Sequence, residues 1–176
     1  MAGLETALER VLTNSYKAGM ISYMASHPEE FKELLKLAIS DKQPYSWRAS
    51  WLLWSIIEVN DQRVQMHIKD IIESIPTKKD NQQRELFLIL QKMALTEEYE
   101  GILFNICVSV WEKVNKKPSV RINAFKLIVK IVKKYPELYH EIVFLTQNQY
   151  LNSLSPTASQ SLAKMIKNLK ASVTQV

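Results

Sequence analysis

The sequence predicts an all-α fold in which helix pairs stack into an α-α superhelix. The first observation is a repeat. An arginine recurs at steps of 36 and 37 residues, each time in a segment with similarly spaced apolar residues. A constant period of this length is typical of helical-repeat arrays. The second is that the 176 residues include only three glycines and six prolines, and the prolines lie between the periodic segments, where they do not break helices. The three segments are residues 47–53, 83–89 and 120–126, with Arg48, Arg84 and Arg121.

The chain begins with leucines at positions 4, 8 and 12, a spacing that predicts an amphipathic helix. Residues 1–27 are therefore expected to form an N-terminal helix and a connector, with no form assigned to residues 19–27. Residues 172–176 are expected to be a tail. Between them, apolar periodicity predicts helices at 28–39, 44–59, 62–74, 81–94, 97–115, 119–135, 137–150 and 156–171. Because 47% of the residues are hydrophobic, the chain can bury one continuous core, and residues 1–176 are predicted to be a single domain.

The run Val-Arg-Ile-Asn-Ala at residues 120–124 resembles the start of the second helix in repeats of the HEAT and armadillo type. The segments at Arg48 and Arg84 keep the arginine and the apolar spacing, and the last repeat has Ser159 instead. The resemblance implies about four HEAT-like helix pairs with an N-terminal helix. It also implies that Arg48, Arg84 and Arg121 hydrogen-bond between repeats and do not contact a ligand. The implied second helices are 44–59, 81–94, 119–135 and 156–171, and the others are the first helices.

Second helices line the concave surface of such arrays, so their exposed residues form a candidate binding ridge. In helix 119–135, Lys126, Lys130 and Lys133 lie opposite the apolar face. The positions equivalent to these lysines in other repeats are found by moving along the chain by the repeat period. They are apolar in the earlier repeats, and the last repeat has Lys164. Two readings stay open for the apolar positions, which either pack in the core or form a groove for a partner helix. The candidate partner-binding residues are Lys126, Lys130, Lys133, Lys164, Leu53, Ile57, Ile89 and Met93.

Three tryptophans fall in the first repeat segment. The offsets align Trp47, Trp51 and Trp54 with Val120, Ala124 and Leu127. Those positions are predicted to be in the core, which favours core packing over an aromatic recognition site.

Charge differs between the two ends of the chain. Residues 1–100 hold 12 Lys+Arg and 15 Asp+Glu, whereas residues 101–176 hold 11 and 3. A basic surface attracts anions, either an acidic protein segment or a phosphate backbone, although lysines also serve simply to solvate helices. We therefore expect a non-catalytic protein-binding or scaffold module whose partner has an acidic segment. The alternative is a nucleic-acid-binding protein related to the HEAT-like DNA glycosylases that repair alkylated bases.

Several other classes find no support in the sequence. The residues His27, His67 and His140 lack the paired spacing of metal ligands, and no glycine-rich phosphate loop occurs, so no metal and no cofactor are predicted. Cys107 lies in an apolar run and is expected to be buried. The HEAT-like glycosylases need an aspartate, yet the basic half has none, and no predicted second helix contains Asp41, Asp61, Asp70 or Asp80. Neither a signal peptide nor a membrane span is predicted, and a cytoplasmic location is expected. Repeat arrays need their terminal apolar faces covered, and at the amino end only the leucines at positions 4, 8 and 12 are predicted to do this. The protein is therefore expected to be a monomer or a weak homodimer.

Overall fold

The computed structural model describes residues 4–174, and over that range it contains helices and turns but no strand. The all-α class is confirmed. The chain packs as two compact units, Met1–Ala94 and Leu95–Val176. The single domain expected from the sequence stays a prediction.

The first unit contains seven α-helices among its described residues. They are α1 (Ala7–Asn14), α2 (Lys17–Ser26), α3 (Phe31–Ile39), α4 (Tyr45–Ile56), α5 (Gln62–Gln65), α6 (Ile68–Ser74) and α7 (Asp80–Gln91). Short 3₁₀ turns occupy Pro28–Glu30 and Ile75–Thr77. A capping box starts α1, because the Thr6 hydroxyl accepts from Glu9 N at 3.2 Å while Glu9 Oε2 accepts from Thr6 N at 3.2 Å.

Packing in the first unit centres on α4, which lies against α1, α2, α3 and α7. Small residues on α4 allow this close approach, since Ser46, Ala49 and Ser50 are buried along with Leu52 and Leu53. Each buried aliphatic side chain stabilises the fold by about 1.5–3 kcal/mol. The fully buried aliphatic side chains around them include Leu8, Leu12, Leu34, Leu86 and Leu90.

A lysine closes the carboxyl end of α4. Lys92 Nζ donates to Trp54 O at 2.8 Å and to Ile57 O at 2.9 Å, which satisfies carbonyls that the helix leaves without an intrahelical partner. The chain then turns at Asn60, whose φ is 57° and whose N–H donates to Lys92 O at 2.9 Å. The helix therefore ends at Ile56, before the predicted residue 59.

The second unit contains five α-helices among its described residues. They are α8 (Glu97–Glu112), α9 (Pro118–Lys134), α10 (Tyr139–Leu145), α11 (Asn148–Leu151) and α12 (Pro156–Val173). A 3₁₀ turn, Pro136–Leu138, precedes α10. Packing is densest where α9 lies against α8 and α12. The helix α9 is buried on most of its circumference, with eleven of its seventeen residues in the core.

Arg121 on α9 is fully buried and donates three side-chain hydrogen bonds. Its Nε donates to Trp111 O at 2.8 Å, Nη1 to Ser153 Oγ at 2.7 Å and Nη2 to Tyr150 O at 2.7 Å. The guanidinium also lies 4.5 Å from the centre of the Trp111 ring, a favourable cation–π distance. Burial lowers the pKa of this guanidinium. One side chain thus joins the end of α8 to the segment around α11.

The sequence prediction missed four local features. Residues 19–27 are predicted to be a connector, yet α2 covers most of them and buries Met20 and Met24 one turn apart. The helix predicted at 62–74 is split at Met66 and His67. The helix predicted at 137–150 ends at Leu145, because the Thr146 hydroxyl donates to Ile142 O at 2.7 Å and competes with the backbone. The predicted tail at 172–176 is still helical to Val173, and residues 175 and 176 lie outside the described part.

Replacing Arg121 by lysine tests the structural role of the arginine. The variant keeps the charge but cannot reach three acceptors at once, so we expect the free energy of unfolding to fall by about 2–4 kcal/mol. Chemical denaturation followed by circular dichroism measures this. Arg10→Lys is the matched control, because exposed Arg10 makes a single long hydrogen bond to Thr6 O. A loss for Arg121→Lys no larger than that of the control contradicts the assignment.

Candidate functional site

The structure places the four apolar candidates in the core. Leu53 and Ile89 have no exposed surface, Met93 is 1% exposed and Ile57 is 4% exposed. A partner cannot contact them in this fold. These four positions therefore do not form a groove for a partner helix. They pack in the core, which is the other interpretation that the sequence allowed.

The lysines lie where the periodicity placed them. Only a narrow strip of the surface of α9 is exposed to solvent. After Ser119 the exposed residues of this helix are all lysines. We call Lys126, Lys130 and Lys133 the α9 lysine stripe. They are spaced by four and three residues, so their side chains leave the same face of the helix. The stripe spans about 10 Å along the axis, at 1.5 Å per residue.

One carboxylate lies at the end of this stripe. Glu100 is buried on α8, and its Oε2 accepts from Lys134 Nζ at 2.8 Å and from Tyr135 Oη at 2.7 Å. These hydrogen bonds raise the pKa of Lys134 and of Tyr135. Partial burial lowers the pKa of Lys130, while the charge of Glu100 opposes that shift. Lys126 and Lys133 make no ion pair with another described residue.

Further lysines lie on α12, which packs against α9. Lys164, Lys167 and Lys170 are all exposed. Residues 95–176 hold 11 Lys+Arg and 6 Asp+Glu, and residues 1–94 hold 12 of each. The whole formal charge of +5 therefore belongs to the second unit.

The three tryptophans of α4 are not core residues. Trp47, Trp51 and Trp54 are half-buried, whereas Val120, Ala124 and Leu127, with which the repeat offsets aligned them, are fully buried. Each indole lies under a cation at the protein surface. Arg48 lies 5.4 Å from the ring centre of Trp47, Lys17 Nζ lies 5.0 Å from that of Trp51, and Lys92 Nζ lies 5.3 Å from that of Trp54.

Two of the repeat arginines open onto a cleft in the first unit that sequence reasoning missed. Arg48 hydrogen-bonds to another helix, since Nη1 donates to Leu12 O of α1 at 2.9 Å. Arg84 differs, because it pairs with Glu85 of its own helix and keeps 41% of its side chain exposed. The cleft has a volume of 310 Å³. Its lining residues are Ser15, Tyr16, Lys17, Met20, Trp47, Arg48, Trp51 and Arg84.

Comparison with known protein families shows which family the chain belongs to. A family model described as a HEAT repeat domain matches residues 4–172. The chain belongs to this HEAT repeat family. The resemblance drawn from residues 120–124 is thereby confirmed. No curated protein and no solved structure matches the chain.

Neither a metal-ligand group nor a membrane-crossing helix occurs in the described part of this HEAT repeat domain. Within residues 4–174 no group of three or more His, Cys, Asp or Glu side chains could hold a metal ion. Over the same range no helix combines the length and the apolar content that crossing a membrane needs. At the amino end, Leu8 and Leu12 are buried and Leu4 is 98% exposed, so only Leu4 of these three leucines could contact a second copy.

The aspartates considered for glycosylase chemistry are spread over the first unit. Asp41 pairs with Lys78 Nζ at 2.7 Å, Asp61 with Arg63, and Asp70 lies 3.5 Å from His67. Asp80 begins α7, one residue before the predicted start of that helix, so it does fall within a second helix. None of the four lines the cleft that contains Trp47 and Trp51.

Cys107 offers a test of the core of the second unit. It has no exposed surface, and burial raises the pKa of its thiol well above the usual value. Only the thiolate reacts with alkylating reagents, so we expect iodoacetamide to modify the folded protein more slowly than the unfolded protein by a factor on the order of a thousand or more. Mass spectrometry with and without denaturant measures both rates. Comparable rates in the two conditions contradict the burial of this side chain.

Proposed function

We propose that this HEAT repeat domain is a non-catalytic binding module that holds an acidic segment of a protein partner along the α9 lysine stripe. The observation that carries the proposal is the exposure pattern of α9. Eleven of its seventeen residues are buried, and the stripe that remains is made of lysines. The charge of the unit and the exposed lysines of α12 add to the attraction of an anion.

The spacing of the lysines supports a ligand more than it supports simple solvation. Like charges at positions i and i+4 of a helix repel each other and destabilise it by a few tenths of a kcal/mol. Lys126 and Lys130 have this spacing, and Lys133 continues it by three residues. Carboxylates laid along the stripe would relieve the repulsion and would raise the lowered pKa of Lys130. An extended peptide of about three residues covers the stripe, at roughly 3.3 Å per residue.

The chemistry of the stripe favours carboxylates over a phosphate backbone. Arginine is the better reader of phosphates because its planar fork makes two parallel hydrogen bonds. The arginine of the second unit, Arg121, is buried and is held by three acceptors of its own unit. The exposed cations of α9 are point charges without that geometry.

Charge reversal tests the proposal. The variant Lys126→Glu/Lys130→Glu/Lys133→Glu replaces three positive charges of the stripe by three negative charges and so lowers its net charge by six units. The matched control, Lys32→Glu/Lys36→Glu/Lys69→Glu, makes the same change at exposed lysines of the first unit. We expect the stripe variant to bind a fluorescent glutamate-rich peptide at least about tenfold more weakly, and the control to bind nearly as the parent does. Fluorescence anisotropy at low and physiological salt provides the affinities.

Two outcomes of this experiment contradict the proposal. One is equal loss of peptide binding in both variants, which would mean that only the net charge matters. The other is tighter binding of a mixed-sequence DNA duplex than of the peptide, with an affinity that falls steeply with salt. That result would favour the nucleic-acid alternative. Circular dichroism of both variants controls for folding.

A further inference from the structure

The cleft of the first unit is cationic and aromatic at once. It lies where the junction of α1 and α2 meets α4 and α7. Its lining includes three cationic side chains, Lys17, Arg48 and Arg84, and no carboxylate. Trp47, Trp51 and Tyr16 supply the aromatic surface. A volume of 310 Å³ lies at the lower end of the range of about 300–1,000 Å³ that small-molecule sites occupy.

Each of the three cations keeps hydrogen-bond donors for a ligand. Lys17 is exposed and makes no ion pair with another described residue. Arg48 uses Nη1 for Leu12 O, which leaves Nε and Nη2. Arg84 binds Oε1 of Glu85 through Nε, at 3.1 Å, and through Nη2, which leaves Nη1. These bonds fix both guanidinium groups in position, so their remaining donors are preorganised.

The charge of the cleft is not neutralised by its surroundings. Glu85 is the acidic partner found for these cations, and it is buried with its Oε2 atom unpaired. Glu85 pairs with Arg84 alone, so the charges of Lys17 and Arg48 leave the cleft with a net positive charge. The amino end of α2 adds to it, because the N-cap residue Tyr16 provides no side-chain hydrogen bond to the helix.

The tryptophans give the cleft a second property. Trp47 and Trp51 are one turn apart on α4 and are half-buried, so each indole shows part of its ring at the wall of the cleft. Lys17 Nζ lies over the ring of Trp51 and the Arg48 guanidinium over that of Trp47, so a ligand meets the indole surface that these cations leave uncovered. A flat ring can pack against such a surface, as nucleic-acid bases stack on aromatic side chains. The cleft therefore offers a place for a planar ring next to a place for an anion.

We propose that this cleft binds a nucleoside phosphate, with the base against Trp47 and Trp51 and the phosphate on Lys17, Arg48 and Arg84. A phosphate accepts hydrogen bonds through three oxygens at once, which suits three separate cationic side chains. The ligand is either a free nucleotide or the phosphorylated end of a nucleic-acid strand, since both present the same chemistry. The site lies in the first unit and does not depend on the α9 lysine stripe.

Calorimetric titration of the full chain with AMP, adenosine and inorganic phosphate tests the two halves of the site. We expect AMP to bind at least about tenfold more tightly than either fragment, because only AMP offers both the ring and the charge. A dinucleotide with a 5′-phosphate then separates the two sources. Tighter binding than AMP identifies a strand end, and weaker binding a free nucleotide. AMP binding no tighter than that of inorganic phosphate, or no AMP binding at all, overturns the proposal.

Lys17→Glu locates the binding in the cleft. Lys17 is exposed and has no hydrogen bond to lose, so the variant should fold, which thermal unfolding verifies. We expect at least a tenfold loss of AMP affinity, while Lys36→Glu and the triple variant of the α9 lysine stripe retain the parent affinity. AMP binding that survives Lys17→Glu unchanged, or that is lost in the triple variant, places the nucleotide elsewhere and overturns the proposal.

Discussion

The buried guanidinium of Arg121 determines how the second unit is arranged. Its donors reach the last turn of α8 and the segment that follows α10, two stretches that lie far apart in sequence. A buried cation is costly unless its donors are satisfied, so α9 is held in the one orientation that satisfies all three bonds. That orientation decides which of its residues lie in the core. The face left to solvent is the lysine stripe, and the candidate partner surface is thus a consequence of an interaction inside the unit.

The two units use repeat arginines in different ways. In the second unit the arginine is sealed in the core, under the Trp111 ring and three acceptors. In the first unit the equivalent Arg48 and Arg84 are partly exposed beside tryptophans. Small residues on α4, such as Ala49 and Ser50, occupy the packed face, which leaves the large indoles at its edge. The same repeat position therefore stabilises the core in one unit and lines a cationic cleft in the other.

Sequence periodicity predicted the class of fold, the family and the exposed lysines. The period of 36 and 37 residues and the run at residues 120–124 indicated the fold and the family, and the exposed lysines follow from the pattern within one helix. The periodicity left the environment of Leu53 and Ile89 open between the core and a groove, and it wrongly placed Trp51 in the core. Those assignments assumed that residues one repeat period apart have the same environment. This holds only if the helices are equally long and are packed against neighbouring helices in the same way. In the structure α4 ends at Ile56 with Lys92 bound to its carbonyls, and α9 is five residues longer. The cleft depends on side chains from α2, α4 and α7 and from the junction between α1 and α2, so no single segment of the sequence indicated it.

The distribution of tryptophans gives each unit its own optical reporter. Three of the four indoles belong to the first unit, and Trp111 is the only one in the second. Trp111 is fully buried, donates from Nε1 to Leu145 O at 2.8 Å and packs 4.7 Å from Phe125 between ring centres. Its emission therefore comes from a dry, fixed environment, whereas that of Trp47 and Trp51 comes from a wet surface beside cations. A single intrinsic fluorescence spectrum thus contains two separable signals, one for the order of each half of the chain.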